Sequence, residues 1–370
     1  MTSGGKRKLV LYSRLAFYPV HWLALEEIVL RYAVEAFVLA APEPELPSVH
    51  RAHGSARPAD GAIDVRWMPA GTRRERAAWL ARQLRDIGPD AVWVQEEPID
   101  PFLLETLALY RLRSRPRIVA AVCENIFPAP RSRLERLARR TLWPRLDRLI
   151  AVASSSVDGI RAAGMPRSVP ADTLVAGGLA PDEVVEPMSL PLPEDTFVVG
   201  FAGRIVEEKG WRVLVEAVKS LPDDVRLAVA GDGVDAAELE AALAGRVHMA
   251  GLLSKEELWS FAAALDCLAV PSLSRPRWKE QLGQTVLDGL AMGVPVVASS
   301  SGGLPDAVGD AGILVPEGDP AALADALRRL RDDPELRARL AAAGRERFRR
   351  EFSIPAYADK IAAALELPRA

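Results

Sequence analysis

Short aliphatic runs alternate with longer amphipathic stretches along almost the whole chain, and this alternation limits the fold more than any other property of the sequence. In the first half the apolar runs fall at 8–13, 35–41, 63–69, 90–97, 117–123 and 148–153. Helical periodicity lies between them, near 22–32, 72–87, 100–112, 131–143 and 154–163. A run that is apolar at nearly every position needs both faces buried, which a parallel sheet with helices on both sides provides. The pattern stops after about residue 177, where Gly177, Gly178, Pro181, Pro187, Pro191 and Pro193 give the composition of a linker. It restarts with strands at 196–202, 225–230, 247–250, 266–271 and 294–298, and helices at 210–220, 235–244, 254–265 and 284–292. Three further helices, 320–332, 334–350 and 355–367, follow. Ser254 with Glu257 forms a capping-box signature, and Asp319-Pro320 reads as N-cap and first helical residue. Residues 42–60, with Pro42, Pro44, Pro47, Gly54 and Pro58, read as a long loop. The chain has 370 residues, which suits two domains at roughly 150 residues each. The expectation is therefore two doubly wound α/β domains in tandem, 1–180 and 181–353, followed by a C-terminal helix at 354–370. Ligands of such sheets bind outside the carboxyl ends of the strands, so a cleft between the domains is the expected site.

Charge and composition exclude several classes of partner. A net charge of −3 gives no bulk attraction for nucleic acid, and none is expected as a partner. The charge is divided unevenly, with 26 Lys and Arg against 19 Asp and Glu over residues 1–180, and 21 against 31 over 181–370. Such a sign change agrees with two domains that have different partners. Cys123 and Cys267 lie in apolar runs and read as buried thiols of a reducing compartment. Lys6-Arg7-Lys8 leads into Leu9–Tyr12, but Arg14 interrupts the run, which reads as a buried strand rather than a leader. No stretch of about 18 apolar residues is free of charge. A soluble, cytoplasmic protein is expected. His21, His50, His53 and His248 are too scattered for a ligand set and no Asp-x-Asp pair occurs, so no metal is expected. Ser13-Arg14-Leu15-Ala16-Phe17 lacks the glycines of a dinucleotide loop, which disfavours a Rossmann dehydrogenase. His21 follows the first strand together with Arg14, Tyr18 and Trp22, and reads either as structural or as facing an acceptor.

Two segments carry chemistry. In Gly203-Arg204-Ile205-Val206-Glu207-Glu208-Lys209-Gly210, two cations project from a strand-to-helix loop whose backbone N–H groups are also available. Cations beside a helix N-terminus make an anion site, suited to a diphosphate. The alternative is a solvated loop in which Glu207 and Glu208 pair with Arg204 and Lys209. The second segment runs from Lys279 to Val297. Glu280 stands in its loop, Gly283 permits close backbone approach, and the N–H groups of 283–285 open a helix that carries Asp288. An acid at the mouth of the loop can hold sugar hydroxyls, and one a turn into the helix a ribose diol. Acids that merely offset the helix dipole are the alternative, although this leaves the loop glycine unexplained.

With these motifs in order and at this spacing, residues 196–350 resemble the C-terminal half of retaining GT-B glycosyltransferases. The resemblance is strongest to glycosyltransferase family 4, the nucleotide-sugar-dependent enzymes related to sucrose and glycogen synthases. Gly231-Asp232-Gly233, Gly251, Gly293–Ala298 and Ser301–Asp306 also belong to it. The resemblance implies two Rossmann-like domains, an acceptor-binding N-terminal one and a donor-binding C-terminal one, with 354–370 returning to the first. It further implies a hexosyl transferase that uses a nucleotide diphosphate sugar as co-substrate, a hydroxyl acceptor and no cofactor. By the same resemblance Arg204 and Lys209 clamp the diphosphate and Glu280 touches the donor sugar. Gly203 and the backbone of Leu282, Gly283 and Gln284 meet the phosphates, Asp288 the ribose, and Leu252 and Leu253 the base. Asp288 stands where the family usually has Glu, Asp306 replaces a commoner Glu, and the paired glycines often found after the first strand are missing from Ser13–Trp22. Where many members carry a histidine, this chain has Glu124-Asn125, so the acceptor side is expected to involve Glu124 or Asn125, with His21 and Arg14. A GT-B epimerase or hydrolase, and a non-catalytic nucleotide-sugar-binding protein, are the competing functions.

Arg131, Arg133, Arg136, Arg139, Arg140, Arg145 and Arg148, interleaved with Leu134, Leu137, Leu142 and Trp143, remain outside these roles. They read either as a solvated arginine face with its leucines in the core, or as a peripheral contact with anionic lipid at the inner membrane face or with an anionic acceptor.

Overall fold

The computed structural model describes residues 6–13, 19–40, 63–100, 103, 106, 115–130, 132–174, 177–181 and 185–370. The loop expected at 42–60, Arg14, Arg131 and most of the helix expected at 100–112 lie outside these residues. The chain divides into two units, Met1–Ala176 with Ile354–Ala370, and Gly177–Ser353.

In the first unit the apolar runs form β1 (Arg7–Ser13), β2 (Val34–Ala40), β3 (Ile63–Trp67), β4 (Ala91–Val94), β5 (Arg117–Val122), β6 (Arg148–Ala151) and β7 (Ala171–Thr173). Among the described residues they make one parallel sheet in the order β3-β2-β1-β4-β5-β6-β7. Leu9, Val10, Leu11, Trp93 and Val119 are buried, so both faces of the sheet are covered, as continuous apolar runs require. The covering helices include α1 (Pro19–Arg31), α2 (Arg73–Ile87), α3 (Arg133–Leu142) and α4 (Ser154–Ala162). The C-terminal helix (Ile354–Ala364) packs on α1. There the Tyr32 hydroxyl donates to Asp359 at 2.6 Å, Arg31 lies 3.1 Å from the same carboxylate, and the Ala33 N–H reaches the Pro368 carbonyl at 3.0 Å.

The second unit repeats the plan with β8 (Phe197–Ala202), β9 (Val225–Ala230), β10 (Val247–Gly251), β11 (Cys267–Val270), β12 (Val296–Ser299) and β13 (Gly312–Val315). The order is β10-β9-β8-β11-β12-β13, again parallel. Its helices include α5 (Trp211–Lys219), α6 (Ala236–Ala242), α7 (Lys255–Ala263), α8 (Gln284–Met292), α9 (Leu304–Val308), α10 (Pro320–Asp332) and α11 (Pro334–Arg347). The capping box of α7 forms as the sequence predicts. Ser254 Oγ accepts the Glu257 N–H at 3.2 Å, and Glu257 accepts the Ser254 N–H at 2.8 Å. Asp319 caps α10 through the Ala322 N–H at 2.9 Å. Chain order reverses between β8 and β11, where β9 and β10 lie to one side and β12 and β13 to the other. Crossovers leave a crevice at such a switch point, at the carboxyl ends of the strands. The loops after β8 and β11 lead into the two segments singled out in the sequence, at 203–210 and 279–297.

Three readings are corrected. Cys123 lies one residue past β5, not within it, although its thiol is desolvated and pushed up to about 12. The segment read as one helix over 334–350 stops at Arg347 and gives way to a π-turn, Phe348–Phe352. Leu134 and Leu137 of α3 are not in the core, being 77% and 58% exposed.

Candidate functional site

After β8 the chain passes Gly203 and makes a 3-10 turn at Glu207–Lys209, and Gly210 at φ +71° opens α5. A Cβ on Gly210 would lie 1.8 Å from the Pro271 carbonyl oxygen, so only glycine lets this loop lie against the chain leaving β11. That approach joins the two loops: Lys209 Nζ donates to Glu280 Oε2 at 2.7 Å, across 71 residues of sequence. Glu280 is 7% exposed, and its Oε2 also accepts the Ser272 hydroxyl at 2.7 Å. Lys209 Nζ stands 5.1 Å from the centre of the Trp278 ring, a second stabilisation of its charge. The Glu280 carbonyl accepts the Gly303 N–H at 2.9 Å, which ties the loop to the start of α9.

Gly283, at φ +73°, turns the chain into α8, and a Cβ there would meet Leu304 Cδ2 at 2.4 Å. Among the described residues no side chain caps α8. An uncapped helix start presents N–H donors and the positive end of the helix dipole, three residues after a carboxylate already paired with a lysine. Open N–H donors at a helix start are the kind of group that receives an oxyanion. Arg204 is not drawn into it: the side chain is 63% exposed and lies 3.3 Å from Glu208. Of the expected clamp, the structure therefore joins Lys209 to the Glu280–Gly283 turn and leaves Arg204 on its own loop.

Further along α8, Asp288 is buried. Its Oδ1 accepts from Lys255 Nζ and, at 3.3 Å, from Trp259 Nε1, both on α7. Its Oδ2 is enclosed and has no partner among the described residues. Burial pushes this carboxyl up, against the opposing pull of Lys255. Leu252 is exposed and Leu253 half-buried in the β10–α7 loop, at the same end of the sheet; Gly203, Leu282 and Gln284 are half-buried. Lys255 and Trp259 were not singled out in the sequence. The available signal was a lysine and a tryptophan at i and i+4, which face the same side of a helix.

In the first unit the residues expected on the acceptor side separate. Asn125 is buried, its Oδ1 accepting the hydroxyls of Ser155 at 3.0 Å and Ser156 at 2.7 Å on α4. Its side chain therefore anchors the loop after β5. Glu124, beside it, is exposed. His21 on α1 meets Trp93 edge-on with ring centres 6.1 Å apart. The loop is held from beneath by a residue the sequence reading passed over: Glu97 Oε1 accepts the N–H groups of Cys123 at 2.7 Å and Glu124 at 2.9 Å. Glu97 Oε2 is buried without a partner among the described residues, and burial raises this carboxyl to about 7. The visible signal was a pair of acids, Glu96-Glu97, directly behind an apolar strand. Burial also pushes the Cys267 thiol well up. Among the described residues no group of three His, Cys, Asp or Glu side chains is arranged to hold a metal, and no helix is long and apolar enough to cross a membrane.

Two parallel doubly wound units are the architecture of the GT-B fold. The HepE protein of Anabaena, solved in complex with UDP, superposes with a TM-score of 0.71 at 18% identity, over 97% of this chain and 99% of that one. Sucrose-phosphate synthase of Thermosynechococcus elongatus superposes with a TM-score of 0.68 at 19% identity, over 98% of each chain. At such identities the likeness is one of fold. Residues 185–347 match the family glycosyl transferases group 1. The 2-deoxystreptamine glucosyltransferase of Streptomyces kanamyceticus is 36% identical over 222 residues, 56% of this chain and 51% of that protein. The 2-deoxystreptamine N-acetyl-D-glucosaminyltransferase of Streptomyces fradiae is 32% identical over 286 residues, 66% of this chain and 65% of that protein. The matches span between about half and two thirds of these relatives' lengths.

Proposed function

We propose that this protein transfers a sugar from a nucleotide diphosphate sugar to an acceptor hydroxyl, with retention at the anomeric carbon and without a metal. The observation that carries the reading is the Lys209–Glu280 pair beside the uncapped start of α8. Solved complexes of HepE with UDP and with UDP and glucose, and relatives named for glucosyl and N-acetylglucosaminyl transfer, support it.

The costly event is departure of a diphosphate from an anomeric carbon that develops oxocarbenium character. Lys209 and the N–H groups at Gly283–Thr285 would stabilise the growing negative charge, which is preorganised electrostatic catalysis. Arg204, exposed and paired with Glu208 across 3.3 Å, would exchange that partner for the diphosphate at little cost. Glu280 would hold Lys209 in place while its carboxylate receives sugar hydroxyls. Asp288 would hold the ribose, and the loop at Leu252 and Leu253 would meet the base. If the acceptor hydroxyl enters on the face the diphosphate leaves, it can surrender its proton to the departing phosphate oxygen, and no enzymic nucleophile is needed. On the acceptor side Glu124 is the side chain free to face a hydroxyl, while Asn125 positions the loop.

Thermal-shift screening against a panel of nucleotide sugars, followed by product analysis of the binders, tests this. Stabilisation by at least one donor, slow hydrolysis of that donor alone and transfer when an acceptor is added are expected. Rapid conversion of donor without acceptor would favour the epimerase or hydrolase, and binding without turnover over a broad acceptor panel the non-catalytic reading.

The exposed leucines of α3 favour a lipid contact over a merely solvated face. Leu134 and Leu137 lie exposed beside Arg133, Arg136 and Arg140, whereas Arg139 turns inward to Glu135 at 2.6 Å. An apolar strip flanked by arginines matches an anionic membrane surface. Co-sedimentation with phosphatidylglycerol vesicles is expected at low salt, weakened by high salt and by the pair Leu134→Ser and Leu137→Ser. Equal binding by that variant and the parent protein would remove the assignment.

A further inference from the structure

The arrangement around Asp288 contains more than an acid on a helix. Its carboxylate is buried between α7 and α8, with one oxygen fully used and the other enclosed and, among the described residues, without a donor. A buried carboxylate oxygen without a hydrogen bond is costly unless a ligand completes it. The donors on Oδ1 are unequal: Trp259 supplies a neutral N–H, Lys255 the charge. Lys255 is itself held, its ammonium 5.4 Å from the centre of the Trp259 ring and mostly out of solvent. The charged groups on the other elements packed against α8 are committed elsewhere. Arg345 of α11 donates to the Met292 carbonyl at 3.3 Å, and Arg347 to the carbonyls of Asp306 and Ala307 at 2.8 and 3.2 Å. Glu351 of the π-turn pairs with Arg347 at 3.3 Å and Arg350 at 2.7 Å. Glu257 of α7 is spent on its capping box. Lys255 is therefore the one charged group, among the described residues, that compensates Asp288.

We propose that Lys255 is a positioning residue of the donor site: as the counter-ion of Asp288 it fixes Oδ1, aims Oδ2 at a ribose hydroxyl, and so sets the preference for ribonucleotide over deoxyribonucleotide donors. This rests on the donor-site reading given above. The physical reason is that the aspartate is one methylene shorter than a glutamate and cannot choose among orientations by rotating a longer side chain. Lys255 and Trp259 choose for it. Without Lys255 the buried carboxyl would rise further, and to the extent that it is protonated it accepts hydroxyl donors poorly.

Isothermal titration calorimetry of the full chain with UDP, GDP, ADP and TDP, and with the 2′-deoxy and 3′-deoxy forms of the tightest ribonucleotide, tests this. The parent protein is expected to lose about tenfold or more in affinity when the contacted hydroxyl is removed, the usual scale of a hydrogen bond to a charged group. In Lys255→Met the preference for the ribonucleotide over its deoxy form should fall, and it should recover as pH is raised. Lys255→Arg should keep most of the discrimination. Because Lys255→Met leaves a buried charge uncompensated, the double variant Lys255→Met, Asp288→Asn serves as a folded control, and it should bind without discrimination at every pH. A parent protein indifferent to the ribose hydroxyls, or a Lys255→Met protein that discriminates as the parent does, overturns the role of Lys255 while leaving a nucleotide site intact. A parent protein that binds no nucleoside diphosphate overturns the donor-site reading itself.

Discussion

Replacing Lys209 or Glu280 by alanine is expected to lower turnover by about two to three orders of magnitude, the usual cost of removing one preorganised charge from a developing oxyanion. The two residues act as a unit, so their effects should not add. Lys209 Nζ reaches Glu280 Oε2 at 2.7 Å, and the Ser272 hydroxyl reaches the same oxygen at the same distance. Losing Lys209 removes positive charge from the leaving group and strands a nearly buried carboxylate. Losing Glu280 frees the Lys209 ammonium from the hydrogen bond that fixes it. The double variant should therefore turn over no more than about tenfold more slowly than the worse single variant. Glu280→Gln separates charge from position: the amide can still occupy the Ser272 hydrogen bond, but it holds the ammonium weakly. Steady-state kinetics with a verified donor, together with melting temperatures, check this. The expected result is a fall in kcat larger than any rise in KM, with folding retained. Near-normal turnover in both single variants would end the assignment of this site.

The parts of this site that were legible in the sequence are local ones. Gly203, the cations that follow it, the Glu280–Gly283 turn and the start of α8 were each visible, because a glycine behind a buried strand and an acid before a helix are signals spanning a few residues. That Lys209 meets Glu280 while Arg204 does not depends on the Gly210–Pro271 approach, which no spacing encodes. Lys255 escaped notice for the same reason: its partner is 33 residues away on another helix. In the fold, the long apolar runs gave β1, β5, β8 and β9 to within a residue or two. Two edge strands were missed. β7 is three residues, Ala171–Thr173, with only a half-buried alanine to mark it. β13, Gly312–Val315, begins on a glycine and leaves Leu314 exposed, so it has little of the burial that makes a strand recognisable. Asn125 shows the opposite limit. Its place in the motif was evident, but its side chain serves Ser155 and Ser156. That partnership is a tertiary choice between two uses of the same amide.

Glu97 yields the second large effect, on stability rather than rate. Its carboxyl is raised from 4.5 to about 7, chiefly by burial, with smaller contributions from the negative charges of Glu124 and Glu96. The N–H groups of Cys123 and Glu124 pull the other way and lose. In the unfolded chain this group ionises with the ordinary value, so between pH 4.5 and about 7 the folded protein holds a proton that the unfolded chain has released. The stabilisation from Glu97 is thus complete below 4.5 and is lost as pH rises through 7. Its size is on the order of 3 kcal/mol, at 1.36 kcal/mol per unit of displacement. Glu97→Gln reproduces the protonated shape, keeps a carbonyl oxygen for the two N–H groups, and carries no charge to desolvate. It should match the parent protein near pH 4.5 and exceed it at pH 8 by up to about 3 kcal/mol. The difference between the two proteins, measured by denaturant unfolding at several pH values, cancels every other titrating group. A gap that opens across pH 5 to 7 is the expected outcome, and a constant gap would refute the buried, proton-bearing state of Glu97. Because the amide still fastens the loop that carries Glu124, turnover should survive the substitution, whereas Glu97→Ala, which releases both N–H groups, should lose stability and acceptor affinity together.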